Sequence, residues 1–205
     1  MILVITPEKI VSYEAEIINQ LFQEGLDLLH IRKPGISRHE MIRFIDKIDA
    51  SFYPQLVLHN HHELGERYGI SRFHFREPDR QEGICRRFVG ENILSTSVHD
   101  ITTYNTLGKE WEYAFISPFF PSISKKGYGE NSTVMESVNH KENSDVKLIA
   151  LGGIASDNIE MVLDAGADGV ALLGAIWENE DALRVFRECR KNIIYRSAEK
   201  DKNRN

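Results

Sequence analysis

The chain contains 205 residues, 41% of them hydrophobic and 27% charged, with a formal net charge of −6 at pH 7. This size and apolar content predict one packed domain, and the acidic balance argues against nucleic-acid binding, which needs a basic face. No apolar run approaches the ~18 residues of a membrane span, so no membrane partner is expected. The two cysteines, Cys85 and Cys189, form no CxxC motif, which favours a reducing, cytoplasmic location.

Apolar segments typical of buried strands alternate along the chain with segments of helical periodicity. In the first unit, a short apolar strand is followed by a helix that Gly25 ends. Eight strands are predicted in this way, at residues 2–5, 26–31, 56–58, 73–75, 92–98, 113–116, 146–151 and 169–173. Because most of these strands are continuously apolar, we expect a parallel sheet that is buried on both faces.

The helices between these strands carry recognisable start and stop signals. Ser37 is the expected N-cap of a helix that reaches Ile48, Gly69 ends a short helix over 62–68, and Asp100 caps the helix after the fifth strand. A further helix is predicted over 79–88, and a closing helix presents Ala182, Phe186, Cys189 and Ile193 to the barrel. We therefore predict a single-domain (β/α)₈ TIM barrel with short loops over residues 1–196, followed by a disordered polar tail over 197–205.

An open doubly wound sheet is the alternative α/β architecture. It would carry a G-x-G-x-x-G fingerprint after the first strand, and this sequence has none there. Barrels of this size often self-associate, so a homo-oligomer is left open.

Glycines end the last two predicted strands. Gly152 and Gly153 follow the seventh strand, and Gly174 follows the eighth. In a barrel of this type, the two loops at these positions often bind phosphate through backbone N–H groups, and a residue without a Cβ lets the phosphate approach the backbone. The pattern predicts a site for a small phosphorylated substrate.

Polar residues follow most of the other strands, where the mouth of a barrel lies. They are His30, Arg32, Asn60, His61, Asp79, Ser97, His99, Ser122, Ser124 and Lys125. Packing alone does not account for polar groups after so many strands, so these residues form the candidate active site.

Three motifs resemble thiamine phosphate synthase and its close relative, the thiazole tautomerase. They are Gly152-Gly-Ile154 through Asn158, the run Ala165-Gly-Ala-Asp-Gly-Val-Ala171, and the loop Ser117-Pro-Phe-Phe-Pro-Ser-Ile-Ser-Lys-Lys-Gly127. The similarity extends in order from Leu28 to Ile176, and the loop after the sixth strand is its most specific part.

The resemblance implies an enzyme of thiamine biosynthesis. A synthase joins hydroxymethylpyrimidine diphosphate to thiazole phosphate and expels pyrophosphate, a leaving group that cations and hydroxyls stabilise. By motif position, Gly152, Gly153 and Gly174 would receive the thiazole phosphate and Ser97 would lie near the pyrimidine amine. The pyrophosphate ligands would be Arg32, Asn60, Ser122, Ser124 and Lys125, and Asp79 would bind Mg²⁺.

The sequence departs from the synthase pattern on the diphosphate side. The pattern Gln-x-Arg-x-Lys is replaced by His30-Ile-Arg32-Lys-Pro34, and Asn-Asp is replaced by Asn60-His61, so one expected Mg²⁺ carboxylate is absent. Lys33 cannot substitute for the missing lysine because adjacent side chains in a strand point to opposite faces.

A tautomerase, which shifts a proton and expels no pyrophosphate, is therefore the main alternative. His99 in Ser97-Val-His99 would be its acid and base, since an imidazole titrates near neutral pH. A non-catalytic thiazole-phosphate binder is a second alternative. A phosphosugar isomerase or epimerase is disfavoured, because the early strand ends lack the carboxylates that it needs.

Simpler interpretations exist for several of these residues. His99 could be a helix-start residue without a catalytic role, and Asp79 could be an N-cap without a metal role. Arg32 could pair with Glu77 or Asp79 across the mouth and bind no substrate. A zinc site at His59, His61 and His62 is not expected, because no i, i+4 pair or cysteine supports it. His74 is interpreted as a core histidine in a barrel strand.

Overall fold

The computed structural model describes residues 1–121, 127, 129 and 132–202, with residues 195–202 described by their backbone alone. Eight parallel strands form a closed barrel in sequence order, and β8 pairs with β1. The strands are β1 Ile2–Ile5, β2 Leu28–Ile31, β3 Leu56–Leu58, β4 Arg72–Phe75, β5 Ile93–Val98, β6 Trp111–Ile116, β7 Lys147–Leu151 and β8 Gly169–Leu172. The predicted (β/α)₈ barrel is confirmed.

Helices connect the strands and cover the outside of the barrel. They are α1 Glu14–Gln23, α2 Arg38–Ile45, α3 Leu64–Tyr68, α4 Glu77–Gln81, α5 Ile101–Asn105, α6 Val134–Ser137, α7 Ile159–Asp164, α8 Gly174–Trp177 and α9 Ala182–Lys202. Short 3₁₀ turns lie at Ala50–Gln55, Ile84–Phe88 and Val138–His140. None of the helices in the described ranges is long and apolar enough to cross a membrane.

The predicted helix caps occur in the structure. The Ser37 hydroxyl accepts a hydrogen bond from the Glu40 backbone N–H, and the Asp100 carboxylate accepts one from the Thr103 N–H. Gly69 ends α3 in the left-handed region at φ 66°. Each cap satisfies a backbone group that a helix end leaves without a partner.

Two helix predictions need correction. The helix predicted over 79–88 is split into α4 and the turn Ile84–Phe88, because Gly83 at φ 73° breaks the helical path between them. Helix α9 runs to Lys202, through the first six residues of the segment predicted as a tail. This segment contains Ala198, Glu199 and Lys200, which have high helix propensity. Residues 203–205 lie outside the described residues.

The barrel has an apolar core on each side of its wall. The larger core packs the outward faces of the strands against the helices, and a smaller one fills the interior, where alternate residues of each strand point. The interior core contains Leu3, Ile5, Leu28, Val57, Tyr113, Phe115, Ile149 and Ala171. Buried polar side chains, including His30, His74 and Ser95, contact this interior core.

Candidate active site

The turn after β7 is shaped by two glycines. Gly152 and Gly153 have φ values of 104° and 65°, which residues with a Cβ rarely adopt. The loop after β6 packs directly on this turn, with the Phe120 N–H donating to Gly152 O at 3.0 Å. A Cβ on Gly153 would clash with Pro121 O and lie 2.7 Å from Phe120 Cβ. Only glycine fits both the backbone angle and the space at this position.

The turn carries two backbone N–H groups for which the described part of the chain offers no acceptor. Within the described residues, neither the Gly152 nor the Gly153 N–H donates to any acceptor. Asn158 holds the turn in place, since its Nδ2 donates to Gly153 O at 2.9 Å and its Oδ1 accepts from Ala155 N at 3.0 Å. The turn therefore presents two ordered backbone donors.

Gly174 lies beside the same loop. A cavity of about 400 Å³ is lined by Ala155 and Ser156 from the loop after β7 and by Gly174 and Ala175 from the start of α8. On its outer wall, Arg184 forms an ion pair with Glu188 at 2.9 Å. The structure thus brings the two glycine-bearing loops together, as the sequence predicts, although Gly152 and Gly153 contact the β6 loop and do not line this cavity.

The cations after β2 point in different directions. Arg32 lies at the mouth and pairs with Glu8 at 2.8 Å, with 35% of its side chain exposed. Lys33 points outward and is buried against Glu14, 2.8 Å from its carboxylate. Strand alternation therefore removes Lys33 from the mouth, and the suggested pairing of Arg32 with Glu77 or Asp79 is wrong.

Asn60 and His61 are both held by the loop after β2. The Asn60 amide donates to Lys33 O at 3.1 Å, while its Oδ1 is buried without a partner among the described residues. His61 has a φ of 54°, and its Nε2 lies 2.9 Å from Ile36 O. Because a carbonyl oxygen only accepts, the His61 Nε2 carries a proton and is not free to bind a metal ion.

Asp79 is engaged by Arg76. The guanidinium donates to both carboxylate oxygens at 3.0 and 3.1 Å, and the Arg76 backbone N–H adds a third hydrogen bond. These contacts lower the pKa of Asp79, chiefly through the Arg76 side chain. Mg²⁺ prefers several oxygen ligands. The Asp79 carboxylate is occupied by Arg76 and the His61 Nε2 by a carbonyl oxygen, so this pair does not fit a Mg²⁺ site. The geometry supports a capping role for Asp79, which accepts from the N-cap Arg76 N–H as the third residue of α4 and is not itself the N-cap.

Ser97 and His99 lie at the end of β5. The His99 Nδ1 is 2.9 Å from Ser117 O, so this nitrogen carries the proton and, in the neutral ring, Nε2 is left as a proton acceptor. His99 is exposed to solvent at the mouth. The Ser97 hydroxyl lies 2.9 Å from His74 Nε2. Ser122, Ser124 and Lys125 lie outside the described residues.

Sequence reasoning missed a cluster of three histidines inside the barrel. His30, His59 and His74 each place one ring nitrogen within 4.8 Å of the other two. His30 Nδ1 lies 2.9 Å from His59 Nε2, and the Tyr113 hydroxyl lies 2.8 Å from His30 Nε2. The available signal was that His30 and His74 occupy inward-facing positions of β2 and β4, and that His59 follows β3 directly, two residues after the inward-facing Val57.

A family model described as thiamine monophosphate synthase matches residues 2–176. The chain belongs to the thiamine monophosphate synthase family. It is 25% identical over 176 residues to the thiamine-phosphate synthase of Lysinibacillus sphaericus, covering 80% of this chain and 81% of the relative. It is 24% identical over 200 residues to that of Streptococcus agalactiae serotype III, covering 90% and 88%. The predicted family is confirmed.

Solved structures agree on the fold. The thiamine phosphate pyrophosphorylase of Bacteroides thetaiotaomicron superposes with a TM-score of 0.75 at 24% identity, covering 94% of this chain and 96% of that one. The pyrophosphorylase of Pyrococcus furiosus gives 0.77 at 18% identity, covering 95% of both chains.

Proposed function

We propose that the protein is a thiamine phosphate synthase, a transferase that joins hydroxymethylpyrimidine diphosphate to thiazole phosphate and releases pyrophosphate. The family match from β1 to α8 carries the proposal, because it includes the loops that would bind both phosphorylated substrates. The activity carried in the names of the relatives described above supports the same reaction.

On this proposal, the two ends of the mouth have different tasks. The amides of Gly152 and Gly153, together with Gly174, bind the thiazole phosphate through the backbone. Arg32, Asn60, Ser122, Ser124 and Lys125 bind the diphosphate and stabilise the charge that develops on the leaving pyrophosphate. Ser97, beside His74, faces the pyrimidine. Because the described donors do not fit Mg²⁺, no step is assigned to a metal ion at Asp79.

The thiazole tautomerase is the second candidate, and the orientation of His99 favours it. The Ser117 carbonyl fixes the proton on Nδ1, so the exposed Nε2 can accept a proton from a bound carboxythiazole phosphate. This chemistry needs neither a second carboxylate nor a lysine at position 34. A binder without turnover would use only the loops at Gly152, Gly153 and Gly174. A cytoplasmic location and a homo-oligomer remain predictions.

The decisive experiment follows pyrophosphate release. The purified chain is given hydroxymethylpyrimidine diphosphate, thiazole phosphate and Mg²⁺. A synthase releases pyrophosphate, and Lys125→Ala lowers kcat steeply. The control Lys109→Ala, at an exposed position before β6, leaves kcat unchanged. Unchanged release in Lys125→Ala would refute the assignment of that loop.

The same preparation tests the alternatives. Conversion of the carboxythiazole phosphate tautomer without pyrophosphate release, abolished in His99→Ala, selects the tautomerase. Binding of thiazole phosphate without either reaction leaves the non-catalytic binder. Absence of thiazole phosphate binding would overturn all three.

A further inference from the structure

The three histidines inside the barrel converge because of strand register. In the parallel ladder, His30 pairs with Val57 and Val57 pairs with Arg72. His59 and His74 each lie two residues beyond these partners, so all three side chains point to the interior at the same end of the barrel. Side-chain alternation and register thus bring three imidazoles from β2, the end of β3 and β4 to one place.

The cluster contains no opposite charge. His30 and His74 are 0% and 2% exposed, and His59 is partly buried. Burial, reinforced by neighbouring cationic groups, lowers the pKa of His30 and His59 well below the usual value, and burial lowers the pKa of His74 to about 3. The rings are therefore neutral at physiological pH, the form in which imidazole nitrogens bind metal ions.

Hydrogen bonds engage one more nitrogen of His30 and both nitrogens of His74. The Tyr113 hydroxyl contacts His30 Nε2 on the side away from His59, and Ser95 and Ser97 contact the two nitrogens of His74 at 2.9 Å each. Partners of this kind fix the tautomer and the orientation of metal-binding histidines. The Ser95 side chain is a further hydrogen-bond partner of the Tyr113 hydroxyl.

We propose that His30, His59 and His74 form a binding site for a divalent transition-metal ion of the Zn²⁺ type. Three imidazoles suit Zn²⁺ and disfavour Mg²⁺, which takes oxygen ligands. The site is separate from the carboxylate position at Asp79, and it does not depend on the proposed synthase reaction.

To bind an ion, the three ligand nitrogens, which lie within 4.8 Å of one another, must move to the spacing set by the ion, and His74 must release one of its two serine hydrogen bonds. Ligand nitrogens around a tetrahedral Zn²⁺ lie roughly 3.3 Å apart, given Zn–N bonds of about 2.05 Å. The pair His30 Nδ1 and His59 Nε2, now 2.9 Å apart, must therefore open by a few tenths of an ångström. The proton between these two nitrogens must move to the other nitrogen of the ring that carries it, so that each neutral imidazole offers an unprotonated nitrogen to the ion. Three protein ligands leave a fourth position for water.

The test is metal binding by the full chain. After treatment with a chelator and its removal, the wild-type protein is titrated with Zn²⁺ by calorimetry and with Co²⁺ by visible absorption. We expect one ion per chain, a tetrahedral Co²⁺ spectrum, and a melting temperature that Zn²⁺ raises. Failure of the wild-type protein to bind stoichiometric metal would overturn the proposal without any variant.

Variants show which residues bind. His59→Gln, at the partly buried edge of the cluster, should weaken Zn²⁺ binding by more than about 100-fold, since a direct ligand matters at least as much as its hydrogen-bond partner. His140→Gln, which removes an exposed histidine outside the cluster, should bind as the wild type does. Equal Zn²⁺ affinity in His59→Gln and the wild type would refute the site even if His30→Gln failed to fold. The outcome is independent of pyrophosphate release, so failure of either proposal is recognisable by itself.

Discussion

The two sides of the barrel mouth are built from different materials. After β7 and β8, the candidate phosphate site consists of backbone amides, and the shape of its β7 turn depends on two glycines with positive φ. After β2, β3 and β4, the mouth consists of side chains, and their identity decides the chemistry. A backbone site is set by the conformation of a few residues, whereas a side-chain site changes with each substitution. The three departures that the resemblance implies, at His30, Pro34 and His61, lie on the side built from side chains.

The side of the mouth after β2, β3 and β4, called the histidine side for His30, His59 and His74, shows how a buried imidazole finds hydrogen-bond partners. His30 stands where the resemblance to the synthase pattern implies a glutamine, and its imidazole lies in a fully buried interior. A lone buried imidazole would leave a ring nitrogen without a partner, at a cost of about 1–3 kcal/mol. Here His59 and Tyr113 contact its two nitrogens, so the cost is avoided.

The other side, called the glycine side for Gly152, Gly153 and Gly174, is tested most strongly by the substitution Gly153→Ala. The alanine must adopt a φ of 65° and clash with Pro121 and Phe120, so we expect a loss of about 2–4 kcal/mol in the free energy of unfolding. Displacement of the turn should also weaken thiazole phosphate binding by roughly 10- to 100-fold, as expected for lost hydrogen bonds to a charged group. Urea denaturation and calorimetric titration measure the two effects.

Gly69→Ala is the matched control. Gly69 has a φ of 66°, but a Cβ there meets no atom within 4 Å. It should lose only the about 1–2 kcal/mol of left-handed backbone strain and keep its affinity for thiazole phosphate. Equal effects of the two substitutions would mean that packing of the β6 loop on Gly153 contributes nothing.

The sequence predicted the glycine side better than the histidine side, for a physical reason. Strands, caps and glycine turns are local, and residues such as Ser37 and Gly153 carry their own signal. The meeting of His30 with His59 and His74 depends on the register of three strands, which no local pattern contains. The role of Asp79 was uncertain for the same reason, because its partner Arg76 is identified only by side-chain geometry.

The histidine side predicts a specific acid sensitivity. The folded state holds the pKa of His74 at about 3, whereas an unfolded chain protonates histidine near 6.5. The stability contributed by the neutral ring is complete above pH 6.5 and is lost as the pH falls toward 3. With a chelator present, the wild type should lose about 2 kcal/mol more than His74→Gln between pH 7 and about pH 5. Urea denaturation at each pH gives this difference.

Phe115→Leu serves as the control for packing. Its ring lies 4.9 Å from the His74 ring and has no titratable group. The substitution should lower the free energy of unfolding at every pH by the same amount, so the slope of this free energy against pH stays that of the wild type. If His74→Gln kept the wild-type slope, His74 would not be held neutral by the fold.

The smallest effect on stability is expected at Asp79, which also tests whether this residue binds Mg²⁺. Because Asp79 holds Arg76 and the start of α4, Asp79→Asn should cost about 0.5–1 kcal/mol, and Arg76→Gln should cost a similar amount. The double variant should lose no more than either single one, because both remove the same interaction.

The Mg²⁺ concentration required for half-maximal pyrophosphate release should be equal in Asp79→Asn and the wild type. A rise of tenfold or more in Asp79→Asn, absent from Arg76→Gln, would instead make Asp79 a metal ligand that exchanges its arginine partner for the ion.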